Sequence, residues 1–362
     1  MKKQYQNNQQ VFDLTRKDVK RLLLGCGFLS TGGGLPENIR QRLLEAALSS
    51  TEKVRVVDVN ELDNGDMVAT VFGVGDPKQC TSVDEGYLES LVTGFQRRFG
   101  LKVNAIIPGE IGAEAEAIFL CSVLGLPLVD ADLASGRAVP EVNLSPFDYY
   151  GISPSPLLAR DYYGNELVVT SDLCSGDLEF LLRTFGNYGR KRGCFLVGYA
   201  REAKVYKKMN LPRSISMSLD IGKALEKKNL TDIKEVLKNV KVYEETVKGI
   251  VKSNLPGFNT GVLLLRSGLS IDFKNECITL RQGDQTKTKA PDIVTLLDDN
   301  FSPVYLAEIE NFVGKRVFVV TAKAFGIWDT QKGRQMWARS VRELMEVNSR
   351  VKIDFYKAKG GK

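Results

Sequence analysis

The spacing of apolar residues changes period several times along this chain, and each change marks a predicted element. Thr15-Arg-Lys-Asp18 has the spacing of a helix capping box, and Val19, Leu22 and Leu23 follow at helical intervals. Residues 1–10, rich in Gln and Asn, carry no such period and predict a frayed end. Amphipathic spacing predicts helices over 36–48 and 88–99, and an alanine-rich helix over 113–124 that Gly125 ends. Between them, compact β-branched runs predict strands at 54–58, 68–74, 103–107 and 126–130. Strands alternating with helices of this length imply a mostly parallel sheet covered by helices.

The pattern breaks between residues 140 and 165, where Pro, Tyr and Ser accumulate. We place a domain boundary there, giving an N-terminal α/β domain over 1–165 and a C-terminal domain over 166–362. The second begins with helices predicted at 177–188 and 214–225 and a strand at 193–198. Short strands then follow at 247–251, 260–265, 269–273, 277–280, 293–297 and 316–321, separated by Gly, Asn and Asp turns. The expected fold class is α/β at the N-terminus, with an α+β C-terminal domain ending in a β-rich sandwich or barrel.

Composition narrows the chemistry. The 362 residues include no histidine, which removes Ser-His-Asp and Cys-His pairs, imidazole metal ligands and imidazole acid–base catalysis. Proton transfer falls to Asp, Glu, Lys, Tyr or Cys. The six cysteines are scattered without a C-x-x-C, which predicts free thiols in a reducing compartment. Leu23-Leu24-Gly25-Cys26 imitates a lipoprotein cleavage box, but its apolar run is short and follows Asp13 and Asp18, so no signal peptide is read. No apolar stretch approaches the ~20 residues of a spanning helix. The expectation is a cytoplasmic protein without a membrane contact. A net charge of +6 is spread among interleaved acids, which gives no nucleic-acid footprint.

The densest motif runs from Gly25 to Gly34, with five glycines in ten residues before the helix predicted at 36. Consecutive N–H groups of such a loop can cradle an anionic or carbonyl oxygen. Ser30, Thr31, Gly32, Gly33 and Gly34 are the candidate ligand loop. A dinucleotide fingerprint is disfavoured, because the loop follows a helix and Ser30 stands where the third glycine belongs. No cofactor is assigned. Strand-end loops at 73–76, 110–114 and 130–137 are the other ligand candidates. Within them Glu110, Asp130 and Asp132 are either an acid–base set, a carboxylate-only metal site or helix caps, and Glu114 is read as a cap. No metal ligand is committed to. Gly112 joins the ligand set. Arg137 either clamps an anion or pairs with Glu141. Cys26 is read as a small buried hydrophobe, Asn275-Glu276 as a hairpin turn, and Trp328 and Trp337 as packing anchors.

Several short motifs occur together in one order: Ser30-Thr-Gly-Gly-Gly34, Val57-Asp-Val-Asn-Glu-Leu62, Pro108-Gly-Glu-Ile-Gly112, Leu128-Val-Asp-Ala-Asp132, Gly136-Arg-Ala-Val-Pro-Glu141, Phe273-Lys-Asn-Glu276 and Pro291-Asp-Ile-Val-Thr295. In this the chain resembles the DUF917 family, also described as S-methyl thiohydantoin desulfurase-like proteins and associated with hydantoinase systems. Two loops depart from the family pattern, at Ala113-Glu114 and at Leu133-Ala-Ser-Gly136. The resemblance implies an enzyme acting on a small cyclic imide or its S-methylated thio analogue, with a homo-oligomer in view. A different class is a non-catalytic ligand-binding subunit of a hydantoinase-type complex. A nicotinamide-dependent reductase would need a strand before Gly25.

Overall fold

The computed structural model describes residues 11–79, 83, 85–161, 163–188 and 194–349. The expected frayed end at 1–10 and Cys80 lie outside them. In chain order the elements are β1 (Val11–Thr15), α1 (Val19–Leu29), α2 (Glu37–Ser50), β2 (Lys53–Val57), β3 (Met67–Gly75), α3 (Glu85–Phe99), β4 (Val103–Pro108), α4 (Glu114–Leu124), β5 (Leu128–Val129), α5 (Pro146–Tyr150), β6 (Leu157–Arg160), β7 (Glu166–Val169), α6 (Ser175–Tyr188) and β8 (Cys194–Glu202). There follow α7 (Ala203–Tyr206), α8 (Ser214–Glu226), α9 (Leu230–Val236), β9 (Lys241–Ser253), β10 (Thr260–Leu265), β11 (Leu269–Lys274), β12 (Glu276–Gln282), β13 (Gln285–Lys289), β14 (Ile293–Leu297), β15 (Arg316–Ala322) and α10 (Gln331–Ser349).

An eight-stranded mixed sheet has the order β1-β2-β5-β4-β3-β8-β6-β7. Its centre is parallel, as strand–helix alternation requires, through β2–β5, β5–β4 and β4–β3. Antiparallel strands extend both sides: β1 on β2, and β8, β6 and β7 beyond β3. β6 and β7 stand on either side of residue 165 and pair with each other, so the 1–165/166–362 division stays a proposal about folding units. The second sheet is antiparallel throughout, in the order β13-β12-β11-β10-β9-β15-β14. It curls so that β12 and β13 approach β14, a half-barrel around Leu263, Ile271, Phe273, Val294 and Val319.

The start of α1 obeys its sequence signal: the Asp18 carboxylate accepts from the Thr15 N–H and hydroxyl, each at 2.9 Å. Gly25 and Gly27 lie inside this helix rather than in a loop. Their bare faces allow close approach. A β-carbon on Gly25 would overlap the Ser218 carbonyl of α8, and one on Gly27 would stand 2.8 Å from Pro303 Cγ. The free loop therefore starts at Ser30. α4 is buried almost end to end and ends at Gly125 with φ 65°. Trp328 and Trp337 are buried and meet edge to face at 5.8 Å. No helix among the described residues is long and apolar enough to cross a membrane.

Candidate functional site

The carboxyl ends of β3 and β4 and the segment after β5 open into one cleft, where open α/β sheets bind ligands. It is open to solvent, with a cavity volume of about 80 Å³. Gly73–Gly75, Gly109–Ala113 and Val139–Val142 form its rim from the first sheet, and Gly34 enters from the glycine loop. The far wall is Asn275 and Glu276, contributed by the second sheet.

The turn between β11 and β12 is what aims Glu276. Lys274 pairs with Glu276 across it, and Asn275 between them takes φ 59°, the left-handed region that Asn tolerates. Its side chain accepts from the Asn259 N–H at 2.8 Å and donates to the Gly75 carbonyl at 3.2 Å. The hairpin is thereby tied to the end of β3. Glu276 is 2% exposed, and its Oε2 has no hydrogen-bond partner among the described residues. Burial raises its carboxyl well above the ordinary range, and the charge of Glu110 pushes the same way.

Glu110 faces the same cleft. Its Oε2 accepts from the Val139 N–H at 3.0 Å. Protein packed around it withdraws solvent even though part of its surface opens into the cleft, and burial raises its carboxyl to about 8; the charges of Asp132 and Glu114 add to this. Two carboxyls that resist ionisation within one cleft are a recurrent acid–base arrangement.

The glycine loop serves both sheets. The Thr31 carbonyl accepts from the Cys277 N–H and the Gly32 carbonyl from the Leu306 N–H, each at 2.8 Å. Ser30 donates its hydroxyl to the Gly27 carbonyl at 2.8 Å. Thr31, Gly32 and Gly34 have φ of 54°, 92° and 82°. Gly33 keeps ordinary backbone, but its bare face lies on the Glu276 carboxyl. Gly34 packs on Gly112, where a β-carbon would come within 3.1 Å of the Gly112 α-carbon. The N–H groups of Gly34 and Leu35 meet no acceptor among the described residues, and both residues line the cleft.

Gly112 is itself held from behind. Its N–H donates to Glu114 Oε2 at 2.8 Å, and Glu114 is buried in an ion pair with Arg40, whose Nε donates at 2.9 Å. Arg40 also donates to the Tyr305 hydroxyl.

The other sequence candidates sit outside the cleft lining. Asp130 accepts from the Ser216 N–H and from Arg213 Nε, both at 2.9 Å, and so holds the first turn of α8. Asp132 accepts from the Ala134 and Gly136 N–H groups at 2.8 and 2.7 Å; burial raises its carboxyl to about 6 against those bonds. Arg137 is buried across Trp337, 4.5 Å from the ring centre, and not paired with Glu141. It donates to the Pro291 and Asp292 carbonyls and to the Thr31 hydroxyl, and burial lowers its guanidinium to about 10. Cys26 is a fully buried thiol whose ionisation burial suppresses. No group of three or more Asp, Glu or Cys among the described residues could hold a metal ion.

Sequence reasoning placed Asn275-Glu276 at a hairpin, which the structure has, but did not place Glu276, Glu116 or Arg183 in the cleft lining. The signal for Glu276 was its place in the Phe273-Lys-Asn-Glu276 motif.

With this geometry in hand, two family profiles match the chain: the N-terminal domain of S-Me-THD-like proteins over residues 17–171, and their C-terminal domain over 180–341. Among curated proteins none matches this sequence. The crystal structure of a protein from Chromobacterium violaceum is similar over 92% of this chain and 97% of its own, with a TM-score of 0.74 at 21% identity. That likeness speaks for the fold alone.

Proposed function

The chain belongs to the S-Me-THD-like family, and on that premise we propose that its cleft binds a five-membered cyclic imide of S-methyl thiohydantoin or hydantoin type and hydrolyses it. The observation that carries the reading is Glu276: a buried carboxyl with one oxygen unpartnered among the described residues, lining the cleft beside Glu110.

In this reading Glu110, once ionised, takes a proton from water as the water oxygen adds to the ring carbon bearing the S-methyl group. The carbon–sulfur bond then breaks, and the departing methanethiolate takes the proton of Glu276. The remaining hydroxyl proton moves to the ring nitrogen, leaving the carbonyl of a hydantoin. The proton on Glu110 returns to Glu276, so one water is consumed and one methanethiol released. The N–H groups of Gly34 and Leu35 stabilise the ring oxygen on which charge gathers. Asp130, Asp132, Thr31 and Arg137 hold the loops in place and stay outside the proton transfers.

Among the described residues, nothing specific on the surface favours the partner-subunit reading. Exposed large apolar side chains fall on separate elements, such as Val123 on α4, Phe180 on α6 and Val242 on β9.

The test is methanethiol release from an S-methyl thiohydantoin, followed with a thiol reagent, beside thermal unfolding with the same ring. Glu276→Gln and Glu110→Gln should each lower kcat by about 10²-fold or more while remaining folded. No release and no thermal shift with the wild-type protein would end this reading.

A further inference from the structure

We infer that the cleft selects uncharged rings with an apolar substituent and turns away carboxylates, an inference that rests on the proposed role of the cleft as the ligand site. Four carboxyl side chains line it: Glu110, Glu116, Glu141 and Glu276. Among the described lining residues, Arg183 is the one cation, and its guanidinium is already committed. Nε donates to Glu179 at 2.6 Å, Nη1 to the Gly257 carbonyl at 3.1 Å and Nη2 to the Pro140 carbonyl at 2.6 Å. The Phe258 ring covers it, with the ring centre 4.0 Å away. Lys274, behind Glu141, divides its ammonium between Glu141 at 2.7 Å and Glu343 at 2.9 Å.

An entering carboxylate would shed water in a cleft whose cations are each already paired with an acid, so its charge would go uncompensated, and the carboxyls of Glu110 and Glu276 would be held further from ionisation. A neutral ring meets the opposite situation. Its N–H donors match the unpartnered Oε2 of Glu276, and its carbonyls match the Gly34 N–H. Leu35, Phe72, Val74, Leu133 and Leu144 supply an apolar wall for a ring substituent. The same charge balance bears on the product. Opening the ring would create a carboxylate inside this cleft, whereas loss of methanethiol leaves both products neutral, so selection favours desulfurisation over ring opening.

Three S-methyl thiohydantoins test this, carrying benzyl, 2-carboxyethyl or 4-aminobutyl groups at ring carbon 5. The benzyl ring should exceed the carboxyethyl ring in kcat/KM by about tenfold or more, equivalent to ~1.4 kcal/mol. Glu141→Gln, which removes one acid from the lining and leaves Lys274 balanced by Glu343 alone, should narrow that ratio several-fold. A carboxyethyl ring handled as well as or better than the benzyl ring overturns the inference while leaving the proposed activity intact. If none of the rings is turned over, the proposed activity falls, and thermal shifts with benzamide and benzoate decide the charge selection separately. A shift with benzamide alone, lost in Glu276→Gln, upholds it; a shift with benzoate, or with neither, overturns it.

Discussion

Glu276 lays its carboxyl against the bare face of Gly33, where a β-carbon would overlap Oε1. The two residues are 243 positions apart, and this contact joins the glycine loop to the hairpin of the second sheet. Gly33 has no positive φ, so its lack of a side chain answers to the neighbour and not to backbone conformation.

Gly33→Ala should therefore disturb Glu276 more than it disturbs the chain. We expect a destabilisation of about 1–3 kcal/mol, as overpacking against a buried side chain costs, and a loss of ligand binding. Glu276→Ala opens room for the new methyl, so Gly33→Ala should have little further effect on stability in that background. This non-additivity is readable in a double-mutant cycle of unfolding free energies. Additive effects would mean that Gly33 does not constrain Glu276.

Glu110 gives stability a definite pH dependence. Its carboxyl sits at about 8 in the folded chain against 4.5 ordinarily. Between those values the folded state holds a proton that the unfolded state has released. Stability from this group is thus greatest at acid pH, declines as pH rises through the window and levels off above about 8. Glu110→Gln should melt higher than wild type at pH 8.5, and the gap should close toward pH 4. Asp132, raised to about 6, and Glu276, also raised, act with the same sign, and the charge of Glu110 helps to hold Glu276 up, so the difference between the two melting curves reports Glu110 together with its repulsion of its neighbours. In the enzyme reading, kcat/KM rises with pH through about 8 as Glu110 ionises, and falls again where Glu276 loses the proton it gives to the leaving thiolate.

Much of the architecture was legible because its signals are local. The helical period at α2, α3 and α4 and the β-branched runs of β3, β4 and β10 each fall within one element. Strands without such a signal were missed: β6 and β7 have four residues each beside the proline-rich segment, and β13 (Gln285–Lys289) is a wholly polar edge strand. The glycines of α1 show the same limit, since Gly25 answers to the Ser218 carbonyl of a helix nearly two hundred residues on. At the site, the strand-end loops could be located from the sequence, and Glu110 with them. Glu276 was marked only by its motif and not by its pattern, because a residue at a hairpin turn becomes a cleft wall only when the second sheet docks.

Asp130 separates a holding role from a chemical one. It accepts from the first turn of α8 and from Arg213. Asp130→Ala should lower stability by about 1–2 kcal/mol, as lost helix caps do, and leave kcat of the folded protein close to wild type. Chemical denaturation and initial rates on the same preparation check both parts. Lost turnover with an unchanged unfolding midpoint would place Asp130 in the chemistry instead.

The last prediction concerns how the cleft floor is kept in shape. Arg40 and Glu114 are both fully buried and paired, and the second oxygen of Glu114 holds the Gly112 N–H. Gly112 has φ 121° and packs backbone to backbone with Gly34, so a shift of this anchor reaches the glycine loop directly. Arg40→Met strands the Glu114 charge in the core and should destabilise by about 3–5 kcal/mol. Adding Glu114→Leu removes that charge and should restore much of the stability, since an apolar pair of similar volume replaces a buried ion pair with little net loss. Activity should not return with it, because the Gly112 N–H then has no acceptor. Unfolding midpoints and kcat/KM for the single and double variants distinguish the two effects. A double variant that regained both would show that the ion pair serves stability alone, and that Gly112 keeps its place without Glu114.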